Sequence, residues 1–367
     1  MYPNNKLSQS HPTRRNRLVP VGAALFFLLA PLVPGSGAGA DKDAAAATGE
    51  VLQNSEIRQF IEEMATQHNY PPEALRELFA KVHFMPELLE RLSKPAEALP
   101  WHRYRTIFLT PERIGEGARF WHEHKETLAR AEEIHGVPAK VIVAILGVET
   151  YFGQHKGKYP VLDSLVTLSF RNTMRTAFFR RELEQFLLLV NEEKILNAHE
   201  LKGSYAGAMG LPQFISSSYR RYAVDFDEDG QRNLIESIPD AIGSAAHYLA
   251  EHGWQREGGI ATPVAIGKTD VTDDLLMKRS GSEPHIAFSD LRARGVVGDN
   301  VITKERMKKI PDGEKVALIS LETETGPAYW IGQQNFYVIT RYNHSNLYAM
   351  AVYQLAEAIR KNYPPQK

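Results

Sequence analysis

The chain of 367 residues contains no cysteine. It therefore has no disulfide, and no thiol to carry a lipid anchor. It also lacks net charge. Its 43 basic and 44 acidic side chains leave −1, so no broad polyanion-binding surface and no nucleic-acid partner are expected. No uninterrupted apolar run reaches membrane-spanning length: the most apolar stretch, residues 18–33, is broken by Pro20 and Pro31. No internal repeat is visible at periods of about 20 to 50 residues. What remains is ordinary globular composition, 43% hydrophobic, in a chain long enough for two or three modules with a real core.

The first 40 residues read as an export signal. Arg14, Arg15 and Arg17 precede the apolar stretch, and Ala38-Gly39-Ala40 supplies a small-x-small cleavage site. The mature chain is expected to start at Asp41, without a lipid anchor, in the periplasm; an uncleaved N-terminal anchor is the alternative. Residues 41–49, DKDAAAATG, form a low-complexity linker.

Helical patterning follows. Ser55 is a candidate N-cap for SEIRQFIEEMATQH, and Pro71-Pro72-Glu73 opens a second helix. Residues 111–135 read as one long amphipathic helix. Gly136 stops it, and Pro138 is placed at the first position of the next helix. More helix is expected within 162–190, at 216–222, at 239–252 and in SNLYAMAVYQLAEAIRK. Between 255 and 332 the chain is rich in Gly, Thr, Asp and Val. There VALISLET and AYWIG flank a Thr325-Gly326-Pro327 turn, predicting a small β-containing insertion with some helix.

One acid stands out. Glu149 ends the run VIVAILGV, and its helical neighbours Ile145, Leu146 and Phe152 are apolar. Desolvation should raise its pKa and make it a proton donor near neutral pH. The structural alternative is a buried glutamate paired with a distant arginine. Downstream, KGSYAGAMGLPQF places Gly203, Gly207 and Gly210 beside Gln213. Those glycines allow close backbone approach, and the Gln213 amide both donates and accepts.

GVETYFG, LDSLVTLSF, KGSYAGAMGLPQF, YAVDFDEDG, PDAIGSAAHYLAEHGW and VITRYNHSNLYAMAV occur in that order. Together they resemble the lytic murein transglycosylases of the MltB type (glycoside hydrolase family 103), across roughly residues 101–359. The resemblance implies a predominantly α fold: a lysozyme-like core with an additional helical domain and the small β-containing insertion. The expected partition is helical domain 50–125, catalytic core 126–254, insertion 255–332 and return to the core at 333–361. The implied reaction cleaves the β-1,4 bond between N-acetylmuramic acid and N-acetylglucosamine without water. The muramyl C6 hydroxyl closes onto C1, and Glu149 serves as acid and then base. A hydrolytic muramidase and an inactive peptidoglycan-binding protein are the alternatives. Asp163 stays open as a second acid.

The resemblance also implies substrate contacts at Tyr104, Arg175, Ser204, Gln213, Tyr342, Asn343 and Tyr348. Family members often carry two adjacent arginines after the SF pair. Here only Arg175 keeps its place, beside Met174, and Arg171 is a candidate substitute. Glycan strands are the implied partner, with cell-wall synthesis enzymes as further candidates.

Residues 225–236, DFDEDGQRNLIE, fit the EF-hand pattern. Asp225, Asp227 and Asp229 supply carboxylates, Gln231 a backbone carbonyl, and Glu236 is the usual closing ligand. The family resemblance instead favours Asp240, which also fits a capping box with Ser237. A structural Ca2+ is the expected cofactor, with no organic cofactor.

Overall fold

The computed structural model describes residues 50–93, 99–171, 174–267, 275–277 and 280–364. The export signal at 1–40 and the linker at 41–49 lie outside the described residues.

The fold is dominated by helices, from Glu50–Gln53 to Asn346–Asn362. A continuous apolar core runs from Val51 to Ile359. Helix Ser55–His68 is capped by Asn54 rather than Ser55: the Asn54 side chain accepts the amides of Glu56 and Ile57. Its burial of Ile57, Phe60, Ile61 and Met64 follows the helical repeat. Helix Pro72–Phe79 starts at its proline as expected.

The predicted 111–135 helix is two helices, Pro111–Glu123 and Lys125–His135, separated at His124 (φ −111°, ψ 24°). The apolar periodicity continues across the break, so the pattern alone conceals it. Pro138 sits just before helix Ala139–Thr150 rather than at its first position. That helix is the centre of the core, and every residue in it from Val141 to Val148 is buried. It packs against the C-terminal helix Asn346–Asn362, whose cap is Ser345. The helical pattern expected within 162–190 resolves into Val161–Phe170 and Thr176–Glu192. NFYVITRYN, which sequence patterning left unassigned, forms helix Gln334–Tyr342.

Strands β1 (Tyr159–Pro160) and β2 (Lys202–Gly203) form a small antiparallel pair. Gly157 lies so close to Gly203 that a Cβ at Gly157 would fall 2.1 Å from the Gly203 backbone. Only glycine permits that approach, at φ +103°.

A second, five-stranded antiparallel sheet lies within residues 261–332. It comprises β3 (Ala261–Ile266), β4 (Ile286–Ala287), β5 (Val296–Val297), β6 (Lys315–Thr323) and β7 (Gly326–Gly332), in the order β4-β6-β7-β3-β5. The β6–β7 hairpin pairs Thr323 with Gly326, so Gly326 opens β7 rather than centring the turn. Alternation along β6 sends Val316 and Leu318 into a small core with Phe288 and Leu291, and Ile319 and Leu321 into the main core. The sheet is thus buried on both faces. Its neck is closed by Asn335, whose side chain accepts the Gln255 amide and donates to the Gln255 and Gly258 carbonyls, all within 2.9 Å.

Candidate active site

Glu149 sits in the last turn of the Ala139–Thr150 helix and faces a cavity of about 480 Å³. Burial pushes its pKa up to about 7, against the opposing pull of one hydrogen bond. That bond comes from the Tyr348 hydroxyl, which donates to Glu149 Oε1 at 2.6 Å. No salt bridge reaches Glu149 among the described residues, so the structural alternative of a distant arginine partner has no support.

The backbone around Glu149 turns sharply. Tyr151 and Phe152 both adopt left-handed φ, 52° and 58°. Such conformations cost on the order of 1 kcal/mol or more per residue and persist where the surroundings enforce them. Here Tyr151 caps the helix by donating its N–H to the Leu146 and Gly147 carbonyls. Thr150 Oγ1 donates to the Leu211 carbonyl (3.0 Å) and accepts from Gly153 N–H (3.0 Å). These bonds lock the acid's helix to the glycine-rich 201–214 segment.

On the opposite wall, Gln213 also has positive φ (50°). Its amide nitrogen donates to the carbonyls of Lys156 (3.2 Å) and Gly210 (2.9 Å). Tyr342 lines the cavity, and its hydroxyl donates to the Pro212 carbonyl at 2.8 Å. Its ring stacks with Tyr348, with centroids 6.5 Å apart and planes 12° apart. Tyr104 is buried and close enough to Tyr348 to help raise its pKa, after burial and Glu149. Asn343 is buried, and its Oδ1 has no hydrogen-bond partner, leaving an acceptor in reserve.

Of the expected substrate contacts, Gln213 and Tyr342 line this cavity, whereas Tyr104, Arg175, Ser204, Asn343 and Tyr348 are not among its lining residues. Ser204 Oγ accepts the amides of Ala206 (3.3 Å) and Ala208 (3.0 Å), which shapes the glycine-rich turn. The Arg175 guanidinium lies over Phe178 (4.7 Å) and Phe179 (5.6 Å). Met174 is fully exposed, and Arg171 stacks on Phe84 at 3.8 Å. Asp163 lies outside the cavity as well, although burial pushes its pKa up to about 6.

Several cavity residues escaped the sequence reading. Glu182 is a second buried acid, its pKa raised by burial, and its carboxylate accepts Ser217 N–H (3.0 Å) and Oγ–H (2.7 Å). Tyr248 donates to the Arg341 carbonyl (2.6 Å) and stacks on His252 at 4.1 Å. Tyr222 packs edge-on against Tyr248 (4.9 Å). Of these, Tyr248 and His252 had a sequence signal in the PDAIGSAAHYLAEHGW motif and Tyr222 in YAVDFDEDG, whereas Glu182 had none.

In the acidic loop, the carboxylates of Asp225, Asp227 and Asp229 converge with oxygens within 4.8 Å of one another. Oxygens on opposite sides of one Ca2+, each bonded at about 2.4 Å, stand about that far apart, so the trio fits the ion. Loop amides reinforce it: Asp229 and Gly230 donate to Asp225, and Gln231 donates to Asp229. Gly230 makes the sharp turn at φ +90°. The two closing candidates stand apart from the trio. Glu236 is exposed and pairs with Lys156 at 3.5 Å. Asp240 is fully buried beneath the loop. Its Oδ1 accepts the amides of Phe226 (2.6 Å) and Asp227 (3.4 Å), and its Oδ2 that of Asn233 (2.6 Å). Ser237 Oγ accepts the Asp240 amide at 3.2 Å, the capping half of the expected box.

A helical lysozyme-like fold whose aromatic cleft holds the buried, raised-pKa carboxyl of Glu149 defines a glycan-cleaving enzyme of the lytic transglycosylase class. Residues 52–357 match the Transglycosylase SLT domain, and the chain belongs to that family. It is 37% identical over 321 residues to membrane-bound lytic murein transglycosylase B of Escherichia coli K12, covering 85% of this chain and 84% of that one. The soluble lytic transglycosylase SltB1 of Pseudomonas aeruginosa superposes with a TM-score of 0.77 at 42% identity, over 84% of this chain and 99% of the other. The E. coli lytic transglycosylase Slt35, solved with calcium, superposes with a TM-score of 0.73 at 37% identity, over 84% and 94%.

Proposed function

We propose that this protein cleaves the β-1,4 bond between N-acetylmuramic acid and N-acetylglucosamine in peptidoglycan, leaving a 1,6-anhydromuramic acid end, with Glu149 as its one acid–base group. The observation that carries the reading is the Glu149 carboxyl, raised to about 7 by burial and held by a single neutral donor, Tyr348. Near neutral pH such a group is present in both protonation states, which suits two successive proton transfers. Protonated Glu149 gives its proton to the glycosidic oxygen as the C1–O bond breaks. The substrate's own acetamido oxygen holds C1 meanwhile. The Glu149 carboxylate then takes the proton of the C6 hydroxyl as that oxygen bonds to C1, and the enzyme regains its starting state. The usual pairing of two carboxylates around the scissile bond is not needed, and Glu182, committed to Ser217, fits no nucleophile role.

Tyr104, Tyr342 and Tyr348 offer rings to sugar faces, and Gln213 and the free Asn343 Oδ1 offer polar contacts. Ser204 and Arg175 support the loop and helix that border the cleft. Within the family, the chain reads as a glycoside hydrolase family 103 member of the soluble type, exported to the periplasm. No helix among the described residues is long and apolar enough to cross a membrane. Ca2+ bound by Asp225, Asp227, Asp229 and the Gln231 carbonyl would fix the loop structurally. Asp240 supports it from below and is the favoured closing ligand.

The test is digestion of purified sacculi, with product masses read by mass spectrometry. Transglycosylation gives muropeptides lighter by one water than hydrolysis does, and Glu149→Gln abolishes their release. Reducing ends in place of anhydro ends would make the enzyme a muramidase.

A further inference from the structure

Three arginines from three different helices line the cavity that Glu149 faces: Arg181 of Thr176–Glu192, Arg221 at the end of Ser216–Tyr222, and Arg341 of Gln334–Tyr342. We infer that Arg181, Arg221 and Arg341 form an anion subsite for the free carboxylates of the peptide stem borne by the muramyl sugar. The inference rests on the peptidoglycan reading above.

The first support is a contrast between neighbours in sequence. Arg180 pairs with Glu63 at 2.8 Å, and Arg220 pairs with Glu192 at 2.5 Å. Arg181 and Arg221, one residue further on, face the cavity and form no salt bridge among the described residues; neither does Arg341. The Arg221 and Arg341 guanidiniums instead lie over the neutral rings of Tyr222 (5.2 Å) and Tyr337 (5.6 Å).

The acids nearby are already engaged. Glu182 is held by Ser217, Glu184 pairs with His68 (2.9 Å), and Glu283 takes the Tyr337 hydroxyl (3.1 Å). Arg221 and Arg341 also act together on one group. After burial, both charges help hold the His252 pKa down, which places them within Coulomb reach of the same ring. Glu182 and Glu184 line the same cavity, and the Arg181 charge pulls on Glu182 there, yet none of the three guanidiniums closes a salt bridge among the described residues, so each keeps donors for a further carboxylate. The glycan backbone at the scissile bond is uncharged, whereas stem peptides carry carboxylates, for which arginine forks are well matched.

The position expected to carry a paired arginine points the same way. Met174 stands there fully exposed, and Arg175 packs behind Phe178 and Phe179 and is not among the lining residues. The positive wall of the cleft has a different origin in this chain.

The test compares kcat/KM of the full chain on intact sacculi and on glycan strands stripped of their stems by an amidase, with the lactyl carboxylates so freed blocked as amides. The wild type should prefer stem-bearing glycan. Arg341→Gln and Arg221→Gln should each cut that preference about tenfold, the scale of one charge-assisted hydrogen bond, with partial rescue by Arg→Lys. A free stem tetrapeptide should bind the wild type, and its carboxyl-amidated form should not, in calorimetry. Wild-type indifference to the stem, or a preference unchanged in both variants, overturns the subsite. If neither glycan is cleaved, the transglycosylase reading itself fails, and the tetrapeptide measurement still decides the subsite.

Discussion

Glu149→Gln should make the protein more stable while abolishing its activity, and the gain should depend on pH in a defined way. Burial lifts the Glu149 pKa from its ordinary 4.5 to about 7. In the unfolded chain the carboxyl ionises near its ordinary value, so between those two pH values the folded state binds more protons than the unfolded one. Stability therefore falls as pH rises through this window, and the loss is complete above the folded-state pKa. A rise from 4.5 to about 7 corresponds to about 3 kcal/mol. Glutamine has the same shape, still accepts from the Tyr348 hydroxyl, and carries no charge to desolvate. The difference in unfolding free energy between variant and wild type should be near zero at pH 4.5, grow through pH 7, and level off at about 3 kcal/mol in favour of glutamine. Asp163 and the histidines titrate in both proteins and cancel in the difference. Urea denaturation at a series of pH values measures it directly. A difference that is flat with pH would show that Glu149 is not desolvated, and would refute its selection as the acid. Catalysis should fall by at least 10²–10⁴-fold, about the worth of one positioned proton transfer.

Tyr348→Phe removes the hydrogen bond that opposes the burial of Glu149, so the alkaline limb of the pH–rate profile should move to higher pH while kcat falls; an unmoved limb would detach Tyr348 from the acid. Calcium should raise the Tm and chelator lower it, by about 2.7 kcal/mol of stabilisation when the ion is a hundredfold above Kd. Asp225→Asn should erase that response. Asp240→Ala should lower the Tm in chelator too, since the buried Phe226 amide loses its acceptor at about 1–3 kcal/mol and the part-buried Asp227 and Asn233 amides lose theirs at less; differential scanning calorimetry with and without calcium separates the two. N-terminal sequencing of the exported protein should give Asp41 as the first residue.

The acid was legible because a charge at the end of an all-apolar helix violates the local pattern, and the loop aspartates were legible because their spacing is itself the geometry. What stayed hidden depends on convergence. Arg181, Arg221 and Arg341 come from three separate helices; nothing distinguishes Arg181 and Arg221 from their ion-paired neighbours Arg180 and Arg220 until the chain is folded, and Arg341 carried no role within VITRYNHSNLYAMAV. Glu182 sits in a run of charged residues and reads as surface, yet the Ser216–Tyr222 helix buries it. The break at His124 was invisible because both halves present apolar residues to the same core. The role of Asp240 under the loop needed the tertiary contacts to Phe226 and Asn233.

The neck formed by Asn335 and Gln255 gives the sheet module the connectivity of an acquired segment, leaving and re-entering the chain at nearly one point. Such a segment is ordinarily interchangeable between relatives, because its removal leaves two ends a short turn can join. The packing argues otherwise here. Ile319, Leu321 and Ala261 belong to the main core, so deletion would strip an apolar wall from the body that holds the glycan cleft. The segment leaves and re-enters the chain at one neck, yet it serves as a shared partition. Substitutions within it are therefore constrained on one face by its own small core and on the other by the main core.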